Sequence, residues 1–260
     1  MKPEQVLHNW DIPELSNIST NSIVRASHGL LNKTFLTKAL DNKTRENKLY
    51  VLQSVHPAVS MPGAMNNYFH VTHFLREKGL LTQTVLQTKD GSLWVDDEDK
   101  EWKWRLLLGI DGEVFDTAKS LKMAEEAGKV LGQMDLHLAT YAKQLEEGRK
   151  SFYYVSELEK LSHYQEQFAA DSDEQLREAA LLLHNELPKL LLPNDLPQSI
   201  IHADPKVSNF LFNKSGECIG MIDFDTLQVL SPLFEIGDFV RSWCGGLEDD
   251  PNNSFNSEIY

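Results

Sequence analysis

The sequence predicts an α+β fold in two lobes, an N-terminal antiparallel sheet carrying one helix and a mainly helical C-terminal lobe. Three observations lead there. Short runs rich in β-branched and aromatic residues recur between Ser22 and Leu108, a single long stretch of helical spacing interrupts them, and beyond Gly109-Ile110-Asp111-Gly112 the period becomes helical. At 260 residues the chain is long enough for two lobes with their own cores. With 41% hydrophobic and 25% charged residues and no internal repeat, it reads as folded rather than disordered. The expected boundaries are 1–108 for the first lobe, 109–112 for a hinge and 113–260 for the second lobe.

In chain order, SIVRAS, TFLTKAL and LYVLQSV read as strands, with Asp41-Asn42-Lys43 turning between the second and third. From Pro62 to Lys78, Met65, Tyr68, Phe69, Thr72 and Leu75 recur at helical spacing. LWV and WKWRLLL then flank the acidic tip Asp96 to Glu101 as a hairpin, with Trp102, Trp104 and Leu106 alternating onto one face. In the second lobe Leu121, Ala124, Gly128, Leu131, Met134 (or Asp135), Leu138 and Tyr141 form an apolar helical stripe. His137 borders that stripe and reads as a packed histidine. Further helices are expected near 155–169 and 173–187, the second with Leu176, Ala180, Leu183 and Leu187 on one side and Pro188 beyond it. Three short strands follow: SII, then NFLF after the polar loop HADPKVSN, then CIGMI after the turn Asn213-Lys214-Ser215-Gly216.

A net charge of −14 argues against a nucleic-acid or anionic-membrane surface, because both partners need Lys and Arg to replace counterions. The expected partner is a small molecule. If it is a polyanion such as a nucleotide, the protein must recruit a cation and local positive groups against its own field. The two cysteines, Cys218 and Cys244, form no CxxC pair, so neither a disulfide framework nor a thiolate zinc site is expected and a reducing cytoplasm fits best. The N-terminal residues carry charges and a proline where a secretion signal needs an apolar run, and no 18-residue apolar stretch occurs, so an unexported protein without a membrane partner is expected.

The ionisable residues of IIHADPKVSNFLFNKSGECIGMIDFD, 200 to 225, sit between apolar runs. Folding Asn209–Phe212 back on the strand ending at Asp223 brings Asn209 beside Asp223, although they are 14 positions apart. A carboxylate and an amide oxygen converging there suit Mg²⁺, which takes hard oxygen ligands and completes its shell with phosphates and water. Asp204, on the same loop, suits a base or orienting group for an acceptor hydroxyl, and Lys206 supplies positive charge beside transferring phosphate. An Asp after a strand is ordinarily a turn or cap residue. The full pattern His-x-Asp-x-Lys-x-x-Asn, followed through a hairpin by Ile-Asp-Phe-Asp, is far more restrictive.

HGLLNKTF at 28 to 35, YVLQSV at 50 to 55, WRLLLGIDG at 104 to 112, HADPKVSNFLF, MIDFDT and FEIGDFVR at 234 to 241 resemble the phosphotransferases with a protein-kinase-like fold, among them aminoglycoside, choline and sugar kinases. The chain is most similar to the N-acetylhexosamine kinase group, over about residues 22 to 247. The resemblance implies a bilobal fold with ATP in the cleft, Asp204 as catalytic base, Asn209 and Asp223 holding magnesium, and Asp225 assisting the metal or the loop. It implies nucleotide contacts at Gly29, Asn32, Lys33, Gln53, Leu108 and Ile110, and makes Asp238 a structural partner of the catalytic segment. Two departures stand out. Such folds place a Lys or Arg on the third strand to hold nucleotide phosphates, whereas Gln53 and Ser54 occupy that region, leaving Lys33 as the expected substitute. The chain also stops at Tyr260, so the second lobe is expected to lack its last helices.

The leading expectation is an ATP- and magnesium-dependent small-molecule kinase acting on a hydroxyl, with a sugar or amino sugar as favoured acceptor. The alternative is a catalytically weak nucleotide-binding regulator on the same scaffold, favoured by the missing strand cation. A metal-dependent hydrolase fits least, since His70 and His73 have no HExxH context.

Overall fold

A computed structural model of the chain describes residues 1–15, 22–26, 31–41, 44–148, 173–193 and 195–245. It divides into two compact units, Met1–Gly148 with Gln198–Tyr260, and Arg149–Pro197.

The larger unit begins with a short helix, α1 (Pro3–Val6), and a six-stranded antiparallel sheet. Its strands are β1 (Val24–Arg25), β2 (Lys33–Leu40), β3 (Asn47–Val55), β4 (Thr84–Leu86), β5 (Val95–Asp96) and β6 (Lys103–Leu108), in the order β1-β2-β3-β6-β4, with β5 also on β6. The helix α2 (Pro62–Glu77) lies between β3 and β4 in the chain. β4 was not legible beforehand, because three residues are too few to show a period of two. The expected turn at Asp41-Asn42-Lys43 falls partly outside the described residues; its flanks close through Asp41 N–H donating to the Glu46 carbonyl at 2.8 Å.

Alternation in the sheet follows from burial on both faces rather than one. Val6, Leu7, Trp10 and Leu15 cover the face carrying Tyr50, Leu52, Trp104 and Leu106. Val51, Val85 and Leu107 on the other face join Tyr68, Val71 and Leu75 of α2. Trp104 and Leu106 share a face as expected, but Trp102 precedes the strand and sets its ring edge-on to His56, with centroids 5.0 Å apart.

After the connection, α3 (Leu121–Leu138) starts where the Ser120 hydroxyl accepts from Met123 N–H at 3.2 Å. Ala124, Leu131, Met134 and Leu138 are buried as the stripe predicts, joined by Met123, Ala127 and Val130. Leu121 is exposed because it opens the first turn. The strands β7 (Ser199–Ile201), β8 (Phe210–Phe212), β9 (Cys218–Met221) and β10 (Gln228–Leu230) make two ribbons, β8 with β9 and β7 with β10. In the smaller unit α4 (Glu174–Glu186) is capped by Asp173, which accepts from Gln175 N–H at 2.9 Å, and its Leu176 and Leu183 are exposed. The helix expected at 155–169 lies outside the described residues. Among the described residues, the last helix of the larger unit is α5 (Pro232–Cys244). No helix of the described residues is long and apolar enough to cross a membrane.

Backbone hydrogen bonds tie the β8–β9 hairpin to the rest of its unit at two places among the described residues. Glu113 and Phe212 exchange backbone hydrogen bonds of 2.8 and 2.9 Å, and Met221 N–H donates to the Leu81 carbonyl at 3.2 Å. Gly220 makes the second possible, since a Cβ there would stand 2.2 Å from the Leu81 carbonyl oxygen. Gly220→Ala is expected to destabilise the protein by about 1–3 kcal/mol, read from its urea unfolding midpoint. An unchanged midpoint would show that this approach is not tight in solution.

Candidate active site

The loop that follows β7 is pinned by α5 from beneath. Glu235 is fully buried and accepts both loop amides, His202 N–H at 3.2 Å and Ala203 N–H at 2.8 Å. Trp243 Nε1 donates to the Pro205 carbonyl at 3.1 Å, and Val207 N–H to Ser242 Oγ at 3.1 Å. Ala203 has φ of +64°, a left-handed conformation that an alanine keeps only when its flanks are held. His202 is buried, with Nε2 3.0 Å from the Ile222 carbonyl and its ring 4.7 Å from Phe224; burial lowers its pKa, so it packs as a neutral ring. Asp238, expected as a structural partner of this segment, accepts from Arg241 Nε at 2.8 Å. Glu235, one turn earlier on the same helix, holds the His202 and Ala203 amides.

Burial pushes the Glu235 carboxyl up to about 8, with Asp135 and Asp238 adding to the rise and the two loop amides opposing it. The folded protein therefore holds a proton there that the unfolded chain releases at the ordinary glutamate value. The group's stabilising contribution is complete below that value and is lost as pH rises through about 8. Glu235→Gln should flatten this part of the unfolding midpoint's pH dependence between about pH 5 and about pH 8. Parallel profiles for the two proteins would contradict it.

Asp204, Lys206, Asn209 and Asp223 come together above this loop. Lys206 Nζ lies 2.8 Å from Asp204 Oδ2, and Asn209 Nδ2 donates to the Asp204 carbonyl at 2.8 Å and to Oδ2 at 3.1 Å. Ile222 N–H donates to the Asn209 carbonyl at 3.0 Å, which sets Asp223 next to Asn209 at the hairpin's open end. Since the Asn209 amide nitrogen is spent on Asp204, its Oδ1 is the atom left to act as a ligand. The Asp223 carboxylate carries no hydrogen bond or ion pair among the described residues, and burial raises its pKa, with Asp225 and Asp204 adding to the effect. Among the described residues no three His, Cys, Asp or Glu side chains converge as a metal cage. One carboxylate and one amide oxygen, both without a hydrogen bond among the described residues and close to the Asp204 and Asp225 charges, fit a magnesium ion that draws its other ligands from phosphate and water.

Beside this group lies a second one that the motifs did not reveal. Arg105 of β6 is fully buried and grips Asp225 with both ends of its guanidinium, NH1 to Oδ1 at 2.6 Å and NH2 to Oδ2 at 2.8 Å. Its Nε donates to Gln53 Oε1 at 2.9 Å, and its plane lies 4.1 Å from the Tyr68 ring centre. Asn32 Nδ2 also donates to Asp225 Oδ2, at 2.8 Å.

Residues 22–256 match the phosphotransferase enzyme family. The chain belongs to that family. Among solved structures it is similar to an amicoumacin kinase in complex with AMP-PNP and Ca²⁺ (18% identity, TM-score 0.62, covering 86% of this chain and 65% of that one). It is also similar to a choline kinase from Cryptosporidium parvum (15%, 0.59, 96% and 72%) and to an aminoglycoside phosphotransferase from Alicyclobacillus acidocaldarius (13%, 0.60, 93% and 71%). At these identities the likeness establishes the fold, an antiparallel sheet with helices in the protein-kinase-like arrangement. The chain spans 65% of the length of the amicoumacin kinase.

In this member of the family the residues expected to contact nucleotide are distributed unevenly. Gly29 lies outside the described residues. Thr34, Gln53 and Arg105 are cross-strand partners and so share one face of the sheet. Lys33 pairs with Ser54, which pairs with Trp104, and this row faces the opposite way. Lys33 Nζ sits 4.3 Å from the Trp102 ring centre, so it does not stand beside Gln53 as the substitution would require. Gln53 is engaged on both sides, by Arg105 and by Thr34 Oγ1 at 3.3 Å. Leu108 ends β6 and Ile110 is buried just beyond it, flanking Gly109, whose N–H donates to the Leu49 carbonyl at 2.8 Å.

Proposed function

We propose that the chain is an ATP- and magnesium-dependent small-molecule kinase that transfers the γ-phosphoryl group to a hydroxyl, with a sugar or amino sugar as acceptor. One observation carries this reading: Asp204, Lys206, Asn209 and Asp223 converge on one pinned loop and hairpin, with two hard oxygen donors left unengaged. Asp204 orients the acceptor O–H and takes its proton as the oxygen bonds to phosphorus and the bond to the ADP oxygen breaks. Lys206 offsets charge on the transferring group. Asn209 Oδ1 and the Asp223 carboxylate would hold magnesium, which when bound neutralises phosphate charge. Residues 1–108 act as the nucleotide-binding lobe, 109–112 as its hinge and 113–260 as the catalytic lobe. The N-acetylhexosamine kinase resemblance in YVLQSV and HGLLNKTF supports the sugar acceptor.

The second reading, a nucleotide-binding regulator, is favoured by the sheet register, which leaves Gln53 without Lys33 beside it. Separate assays of ADP release with amino sugars, neutral sugars, choline and aminoglycosides distinguish the two. Turnover stimulated by sugars supports the kinase and its acceptor class; stimulation by choline or aminoglycosides alone removes the sugar assignment, and stimulation by none favours the regulator.

A further inference from the structure

We propose that Arg105 and Asp225 form a strut that positions the metal-binding turn at Asp223 against the N-terminal sheet, so that Asp225 is a positioning residue and not a metal ligand. The inference rests on the kinase reading above and deepens it. Protein-kinase-like folds hold nucleotide phosphates with a third-strand cation, and here Gln53 stands in that region while the cation sits one strand over, on the same face of the sheet. Arg105 is enclosed, so it acts through the residue it holds.

Its geometry shows what it holds. Three N–H donors occupy the two Asp225 oxygens, two from Arg105 and one from Asn32, whose own Oδ1 is fixed by His56 N–H at 3.0 Å. A divalent cation on that carboxylate would sit directly against the guanidinium charge, which Coulomb repulsion in a buried site disfavours. Gln53 and the Tyr68 ring set the direction of the guanidinium. Asp223, two residues before Asp225, has φ of +68°, a conformation that an aspartate tolerates at some energetic expense and that needs anchors on both sides. The upstream anchor is Ile222 N–H on the Asn209 carbonyl, and the downstream anchors are Phe224, buried against Tyr68 and His202, and the Asp225 latch. Releasing the latch frees the turn and with it the Asp223 carboxylate.

The test compares AMP-PNP affinity with and without magnesium by calorimetry, alongside urea unfolding, for the wild type, Arg105→Met, Arg105→Lys and the double variant Arg105→Met with Asp225→Leu. Arg105→Met should lose about tenfold or more of the magnesium-dependent tightening, as expected when a group that orients a metal ligand is removed. If Asp225 were a ligand, Arg105→Met would free it and magnesium would tighten binding as much as in the wild type or more, which overturns the proposal. The double variant replaces the pair with apolar side chains and should regain most of the stability without regaining the magnesium effect. Recovery of both would reduce the strut to a stability element and overturn the proposal. Arg105→Lys keeps the charge but cannot fork, so it should fall between Arg105→Met and the wild type; equality with the wild type contradicts the forked latch. A wild type that binds no AMP-PNP under either condition removes the kinase reading, and the strut's proposed role with it.

Discussion

Asp204→Asn is expected to lower kcat for phosphoryl transfer by about 10²–10⁴-fold, the usual contribution of a positioned general base. The substitution keeps the size of the side chain and an oxygen that can accept from Asn209 Nδ2, while removing the negative charge that pairs with Lys206 at 2.8 Å and the basic site for the acceptor proton. The loop's supports, Glu235 on its amides and Trp243 on the Pro205 carbonyl, do not involve the Asp204 carboxylate. Nucleotide affinity and the unfolding midpoint should therefore stay close to wild type while turnover falls. Equal losses in affinity and stability would place Asp204 among the structural residues of the loop.

Arg105→Met should be the most destabilising of the substitutions considered. It leaves Asp225, whose side chain is 5% exposed, without its ionic partner and Gln53 Oε1 without its donor. Removing one member of a buried ion pair typically costs about 3–5 kcal/mol, because the surviving charge stays desolvated. Urea unfolding at neutral pH measures it. A loss of about 1 kcal/mol or less would mean that water reaches Asp225 and compensates the missing guanidinium.

The sequence showed the larger features because they depend on local periodicity. β2 and β3 run for eight and nine residues, and α2 and α3 keep their apolar spacing long enough to be read. The approach of Asn209 to Asp223 is also legible, since the tight turn at Asn213 to Gly216 folds β8 back on β9; the bulge between Leu211 and Phe212, which shifts the register by one residue, is not. Arg105 was missed for the opposite reason. Its partners lie 52 and 120 residues away, at Gln53 and Asp225, and no local pattern encodes the register that aligns them. The alternation of Trp104 and Leu106 did imply that Arg105 faces the other way, but sequence alone left open whether that face met solvent or the catalytic turn. Glu235 is not marked by the sequence, because an acidic residue inside FEIGDFVR gives no sign of which helix face meets the loop; its hydrogen bonds with His202 and Ala203 show that it does. Lys33 stands out in the sequence as the positive charge beside the loop of HGLLNKTF, yet one step along a strand reverses the face and sets it opposite to Gln53.

The most direct measurement is magnesium-dependent phosphoryl transfer from ATP to a pooled set of sugars, amino sugars, choline and aminoglycosides, with products detected by mass and Asp204→Asn run in parallel. The expected result is an acceptor that gains one phosphoryl group with the wild type, only when magnesium is present, and far more slowly with the variant. The contradicting result is magnesium-dependent nucleotide binding by the wild type with no phosphorylated acceptor in the pool.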